Sequence, residues 1–368
     1  MPTFSIILPT KNRDTLALHA IKSVLAQSFN DYEIVVSDNS DGSNETILGE
    51  FCSSTSSANI KYTRTGGLSM VQNWNNALDI ATGDNIIVIE DKMVMYPHAL
   101  ELIRNTFSRS SSRVVYWNYD VVDDTNNRTL LIKKSNIKGR LIKAHCKLNK
   151  LRANIVREVF KIPRALCCSM PKSLILEINK NFDACLFEDI SPDMTSGFKL
   201  LHSIDDYWNC GESLFAVTTS KIGNGKELFE SPKNERYKYM MGKSNKTIAM
   251  NNVECDLFTV TNIIIDDYNK IAKKAGKIEC IHGGIYWRNI TKELVLKLLE
   301  PSKVGVEVKE MYRAIYLGCS VFATLFNLSL ISCDLFFNSA KKLIKGEKSK
   351  IVEINNIEDL YANIHTSS

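Results

Sequence analysis

Across the first 120 residues, short runs of β-branched residues alternate with stretches of helical periodicity, and that alternation allows few folds. Residues 4–8, 32–37, 60–63, 86–89 and 114–119 read as strands. Between them, apolar residues recur at helical spacing: Leu16, Ala20, Ile21, Val24 and Leu25 over 14–26, and Met70, Trp74, Ala77, Leu78 and Ala81 over 69–81. Asp14 or Thr15 is placed to cap the first of these helices. Shorter helical patterns cover 46–51 and 97–107. Apolar strands joined by helices belong in a parallel sheet covered on both faces, and the carboxyl ends of its strands are where ligands bind.

One of those strand ends is chemically unusual. The run Ile86–Ile89 leads directly into Glu90 and Asp91, two carboxylates that a buried strand does not need. Hard oxygen ligands at such a point suit Mg²⁺ or Mn²⁺ carrying a diphosphate; two acids alone are equally a solvated turn.

Composition narrows the class. At 368 residues the chain accommodates one large domain or two ordinary ones, and 44% hydrophobic with 24% charged residues is a globular composition. A formal charge of +5 is small for this length and does not indicate a nucleic-acid binder. The ten cysteines form no Cys-x-x-Cys pair, which argues against structural zinc. The N-terminus enters a strand at once and resembles no secretory signal, so free thiols in a reducing cytosol are expected.

The middle of the chain is less regular. Residues 144–160 read as a basic helix, Pro163 and Pro171 break the pattern beyond it, and 191–203 reads as a helix entered through Pro192. From 226 to about 312 the pattern is helical. The stretch Ala314–Cys333 has no charged residue, and five lysines lie between 341 and 350. Its Ser, Thr and Asn residues favour a core or interfacial helix over a membrane span.

Four ordered segments carry a resemblance. Residues 5–13 (Ser-Ile-Ile-Leu-Pro-Thr-Lys-Asn-Arg), 23–29 (Ser-Val-Leu-Ala-Gln-Ser-Phe) and 33–43 (Glu-Ile-Val-Val-Ser-Asp-Asn-Ser-Asp-Gly-Ser) precede the acidic pair in the order found in glycosyltransferase family 2. The chain resembles that family firmly over its N-terminal third and loosely over its middle third. The resemblance implies a GT-A-type α/β fold: a Rossmann-like, mostly parallel sheet with flanking helices and a helical C-terminal region. Residues 1–120 would form the nucleotide-sugar-binding half, 121–230 the acceptor-binding half of the same domain, and 231–368 a helical region suited to membrane association.

The same resemblance assigns roles. Pro9, Thr10, Lys11, Asn12 and Arg13 would line the donor loop, with Pro9 and Asn12 alternatively plain turn formers. Asp38 would accept a hydrogen bond from uracil or ribose. Asp41 is either a second such contact or the cap of the next helix. Asp91 is the expected metal ligand, with Glu90 at ribose or metal-bound water. The family usually shows Asp-Asp or Asp-x-Asp, whereas this chain has Glu-Asp-Lys; Lys92 then sits near the phosphates or points to solvent. Asn75 is a candidate contact to the donor diphosphate.

For the catalytic base there are two candidates. Ser191-Pro192-Asp193-Met194-Thr195-Ser196 resembles a Pro-Asp-x-x-Ser motif of a bacterial surface-polysaccharide subset, and Thr218–Gly225 resembles the segment found after it there. Asp193 is thus the base, or a first-turn acid of the helix behind Pro192. Glu188 and Asp189 resemble the Glu-Asp pair that carries the base in other members. His98, His145, His202 and His282 lack ligand spacing to one another.

The expected protein is a cytoplasmic, membrane-associated, inverting glycosyltransferase. It would use a divalent metal (Mn²⁺ or Mg²⁺), a nucleoside diphosphate donor with UDP favoured, and a glycan acceptor carried on a polyprenyl lipid. The alternative is a degenerate, non-catalytic sugar-nucleotide-binding or scaffolding subunit.

Overall fold

The structure, a computed structural model, describes residues 1–42, 46–55, 59–123, 129–133, 138–189, 191–218, 250–254, 260–277, 280–290, 350–354 and 364. Its centre is β1 (Phe4–Thr10), parallel to β2 (Tyr32–Asp38) on one side and to β4 (Asn85–Val88) on the other. β3 (Ile60–Arg64) extends the parallel part beyond β2. Both β1 and β2 are buried along their whole length, as expected of strands without polar alternation. The helices α1 (Asp14–Leu25), α2 (Ile47–Ser54) and α3 (Met70–Ile80) connect these strands.

The caps differ from the expectation at one point. Arg13 occupies the N-cap position of α1 with no side-chain cap, and Asp14 lies in the first turn, where its charge favours the helix dipole. Thr46 caps α2 through the Gly49 N–H, and Ser69 and Gln72 close a capping box on α3.

At the amino ends of the strands, the buried Glu33 holds the sheet together. It accepts from Ser5 Oγ at 2.6 Å, Thr82 N at 2.5 Å and Thr82 Oγ1 at 2.9 Å, and pairs with Lys61 at 2.7 Å. Gly83 lies so close to β1 that a Cβ there would stand 2.7 Å from the Ser5 nitrogen and 2.8 Å from the Phe4 carbonyl carbon.

Beyond β4 the sheet becomes antiparallel. β9 (Cys168–Pro171) inserts between β4 and β6 (Val115–Asp123), antiparallel to both. The edge continues through β7 (Thr129–Lys133) to β11 (Lys350–Ile354). β10 (Asp206–Thr218) runs parallel to β6 and antiparallel to β5 (Met93–Met95) and β8 (Arg140–Lys143). Helix α4 (Ala99–Arg109) leads from β5 into β6.

The basic helix read over 144–160 is instead three pieces: α5 (Ala144–Ala153), α6 (Ile155–Glu158) and a 3-10 turn (Val159–Lys161). Asn154, at φ −156° and ψ 75°, breaks the helical path. Helices α7 (Lys172–Phe182) and α8 (Pro192–Ser203) come next in the chain. From the C-terminal region, α9 (Val260–Lys274) packs on α8, with the Phe198 and Tyr268 rings edge to face at 5.3 Å. Residues 283–290 are helical, and β11 joins the main sheet. The apolar run 314–333 and residues 219–225 lie outside the described residues. Among the described residues, no helix is long and apolar enough to cross a membrane.

Candidate active site

The loop after β1 and the loop after β2 are interlocked. Asn12 adopts a left-handed backbone, φ 54°, which Asn tolerates better than most residues. Its N–H donates to Ser40 Oγ at 2.8 Å, its Nδ2 donates to Asp41 Oδ2 at 2.8 Å, and its Oδ1 accepts from the Asp41 N–H at 2.9 Å. Lys11 pairs with the same Asp41 at 2.8 Å. Hydrogen bonds from Lys11 and Asn12 hold the Asp41 carboxyl below its ordinary range. Asp41 is therefore a brace between loops, and the cap of α2 is Thr46. Pro9 sits within β1, opposite Ser37 of β2.

Asp38 is fully buried at the end of β2. Its Oδ1 accepts from the Ser40 N–H at 2.9 Å and its Oδ2 from Tyr62 OH at 2.7 Å. Asn73 of α3 ties the two strand ends together, donating to the Thr10 carbonyl at 3.2 Å and accepting from Ser37 Oγ at 2.7 Å.

The acidic pair lies just past the neighbouring strand end. Asp91 is 5% exposed, and its carboxylate accepts from Thr10 Oγ1 at 3.0 Å and from Arg13 Nη1 at 3.1 Å. Burial pushes this carboxyl above its ordinary range, Arg13 works against that, and Glu90 adds to the rise. Lys92 does not point away into solvent alone: it pairs with Glu90 at 3.0 Å, and that charge raises its proton affinity. The structure thus brings Thr10, Arg13, Glu90, Asp91 and Lys92 to one edge of the sheet. The Asn75 amide donates to the carbonyls of Val71 and Phe187 at 3.1 and 3.0 Å. It ties α3 to the segment that carries Glu188, where Trp74 also meets Phe187 edge to face at 5.1 Å.

The three candidate bases have different partners. Glu188 pairs with the fully buried Lys199 at 2.5 Å and with Lys274 at 3.4 Å. Burial raises its proton affinity, but Lys199 and Lys274 outweigh that and hold it low. Asp189, in a left-handed backbone at φ 58°, gives both oxygens to Lys270 at 2.7 and 2.8 Å. Asp193, in the first turn of α8, gives only Oδ2, to Arg164 Nη1 at 2.7 Å. Its Oδ1 has no partner among the described residues.

Arg164 was not foreseen, and it organises this side. It is buried, donates also to Tyr119 OH at 3.0 Å, and lies over the rings of Tyr119 and Phe160 at 5.5 and 5.6 Å. The only sequence signal was a lone charge inside the apolar run Ile162–Leu166. Register explains its position. β9 runs antiparallel to β4, with Ile87 opposite Ser169, so the residues just before β9 lie towards the carboxyl end of β4. Gly197 allows α8 to close on this turn, because a Cβ there would stand 2.9 Å from Ile162 Cδ1 and 3.2 Å from Arg164 Cα. Asp267 of α9 is a further unforeseen carboxyl, buried and pushed well above its ordinary range by desolvation and by Asp189 and Asp266.

A buried aspartate with Glu90 beside it, a basic loop and a second carboxylate on a neighbouring helix gather where an open α/β sheet binds its ligand, at the carboxyl ends of its strands. Comparison with known proteins finds that residues 5–157 match the family described as Glycosyl transferase family 2. Among curated relatives, it is similar to GalNAc(5)-diNAcBac-PP-undecaprenol beta-1,3-glucosyltransferase of Campylobacter jejuni subsp. jejuni serotype O:2. The two are 34% identical over 106 residues, 28% of this chain and 34% of the relative. It is also similar to the provisionally named colanic acid biosynthesis glycosyl transferase WcaA of Escherichia coli (strain K12), 33% identical over 104 residues, 27% of this chain and 36% of the relative. The matches span about a third of the length of these relatives. Among solved structures, S. aureus TarS 1–349 in complex with UDP-GlcNAc aligns over 73% of this chain and 72% of that chain, at 15% identity and a TM-score of 0.48.

Proposed function

We propose that this protein transfers a sugar from a nucleoside diphosphate donor, UDP favoured, to a hydroxyl of a glycan acceptor with inversion at the anomeric carbon. The observation that carries the reading is the cluster of Thr10, Arg13 and Asp91 at adjacent strand ends, within the stretch that matches family 2. Arg13, Lys92 and the loop N–H groups suit a diphosphate, and Asp38 with Tyr62 suits the base or ribose. Asp193, with one uncommitted oxygen, takes the proton of the attacking hydroxyl. The name of the Campylobacter relative supports an undecaprenol-linked acceptor, and hence work at the cytoplasmic face of the membrane.

Among the described residues, no three His, Cys, Asp or Glu side chains surround a common point. An all-protein metal cage is thus not what these residues offer. Mg²⁺ or Mn²⁺ held by one or two carboxylates and completed by substrate phosphates does fit the buried Asp91 and its neighbour Glu90. Such an ion would supply positive charge to the leaving diphosphate.

Thermal shift with UDP-sugars, with and without Mn²⁺, tests the reading. Mn²⁺ alone should shift melting little, whereas Mn²⁺ with the donor should shift it more than the donor alone. Asp91→Asn should lower UDP release by about a hundredfold while the fold stays intact. Full turnover in EDTA would remove the metal role. Donor binding without any UDP release on adding acceptor would favour a non-catalytic binding subunit.

A further inference from the structure

Residues 138–164 contain nine Lys or Arg and one acidic residue, Glu158. Nine positive charges against one negative leave +8 on this segment, against +5 for the whole chain, so the remainder sums to −3. In the fold this segment is contiguous: β8, α5, α6 and the 3-10 turn succeed one another, with β8 paired on β10 and α5 packed on α6. Arg140, Lys143, Lys150, Arg157 and Lys161 are exposed.

Three acids take up part of this charge: Glu158, Asp206 of β10, which pairs with Lys143 at 2.8 Å, and Asp193, which pairs with Arg164. Glu158 is held by Lys147 at 2.7 Å and Lys161 at 2.9 Å. Burial opposes ionisation there, but these two ammonium groups lower its carboxyl to about 2, so it stays a spent counter-charge. Two apolar side chains also stand exposed in the same stretch, Leu141 at 41% and Phe160 at 47%. Phe160 stacks against the Arg164 guanidinium, which in turn holds Asp193.

We infer that residues 138–161 form the surface through which the protein lies on an anionic membrane leaflet. Lysines and arginines meet lipid phosphate there, and Leu141 and Phe160 enter the headgroup layer. Exposed apolar residues within a basic face favour a lipid surface over a nucleic acid, which would call for a series of stacking aromatics. The consequence for catalysis rests on the proposed function: Phe160 and Arg164 link this face to Asp193, so a lipid-linked acceptor reaches the base from the membrane side.

Vesicle co-sedimentation of the full chain, without donor or acceptor, tests the surface independently of sugar transfer. The protein should bind phosphatidylcholine vesicles only when phosphatidylglycerol is included, and high salt should release it. Arg140→Glu/Lys150→Glu/Arg157→Glu should lower partitioning by at least about tenfold, with melting and UDP-sugar hydrolysis retained. Should the triple reversal melt early, Lys150→Gln/Arg157→Gln gives the same reading with a smaller loss. Unchanged vesicle binding by these variants would overturn the assignment and move the contact elsewhere, with the apolar run 314–333 the first place to look. Failure of the unaltered protein to bind anionic vesicles would overturn it as well. So would variants that lose single-stranded RNA binding while keeping vesicle binding.

Discussion

Asp193 and Asp189 stand four residues apart in sequence, yet their partners give them different capacities. Lys270 occupies both oxygens of Asp189, whereas Arg164 occupies one oxygen of Asp193. A general base works within hydrogen-bond reach of the proton it takes, and a lysine ammonium held across both oxygens weakens Asp189 as an acceptor more than one guanidinium contact weakens Asp193. Asp193→Asn should therefore cut turnover by about a hundredfold and leave donor binding nearly unchanged, measured as kcat against donor Kd. Asp189→Asn should act mainly on melting temperature. The reverse pattern would make Asp193 a first-turn acid of α8 and move the base to Asp189. The acids themselves were legible because they sit in compact local motifs. Arg164 and Lys270 were not, because they meet their aspartates across 29 and 81 residues of chain. A salt bridge of that kind leaves no local pattern.

Glu33 shows what an element contributes beyond its hydrophobic pattern. It sits in β2, and its partners come from β1, β3 and the segment entering β4, so one carboxylate ties the whole parallel unit at its amino end. Burial penalises its charge, yet Lys61, Ser5 and Thr82 lower the carboxyl from 4.5 to about 2. A carboxyl depressed on folding stabilises the fold above the unfolded value and loses that contribution as pH falls through the folded one. Glu33→Gln should accordingly lower the melting temperature at neutral pH, and the difference from the unaltered protein should shrink between about pH 4.5 and 2. A constant difference across that range would mean that packing, not charge, is responsible. At this scale the parallel strands and their helices were readable from periodicity. β9 and β10 were not. β9 is four residues long and ends in Pro171, and the register of β10 on β6 shifts twice between Asn209 and Phe215. Strands this short or this irregular carry little periodic signal.

Across the whole molecule, the sequence read well where contacts are local and poorly where distant segments meet. The first three strands and their helices are neighbours in both chain and space, while β11 returns from residue 350 to pair with β7. α9 likewise comes back to cover α8, burying Ile263, Ile264, Ile265, Tyr268 and Ile271 and bringing Lys270 to Asp189. A chain ending at residue 249 should therefore melt well below the full-length protein and expose apolar surface to a dye such as ANS. If it instead melts at the same temperature, α9 is an appendage and not part of the core.

The close approach at Gly197 acts as a spacer between α8 and the turn that carries Arg164. A methyl group at position 197 would press on Ile162 Cδ1 at 2.9 Å and on Arg164 Cβ and Cα at 3.1 and 3.2 Å, so any larger residue there pushes α8 away from the 162–164 turn. The reach from the Arg164 guanidinium to the Asp193 carboxylate is thus set by backbone contact between the two segments as well as by charge.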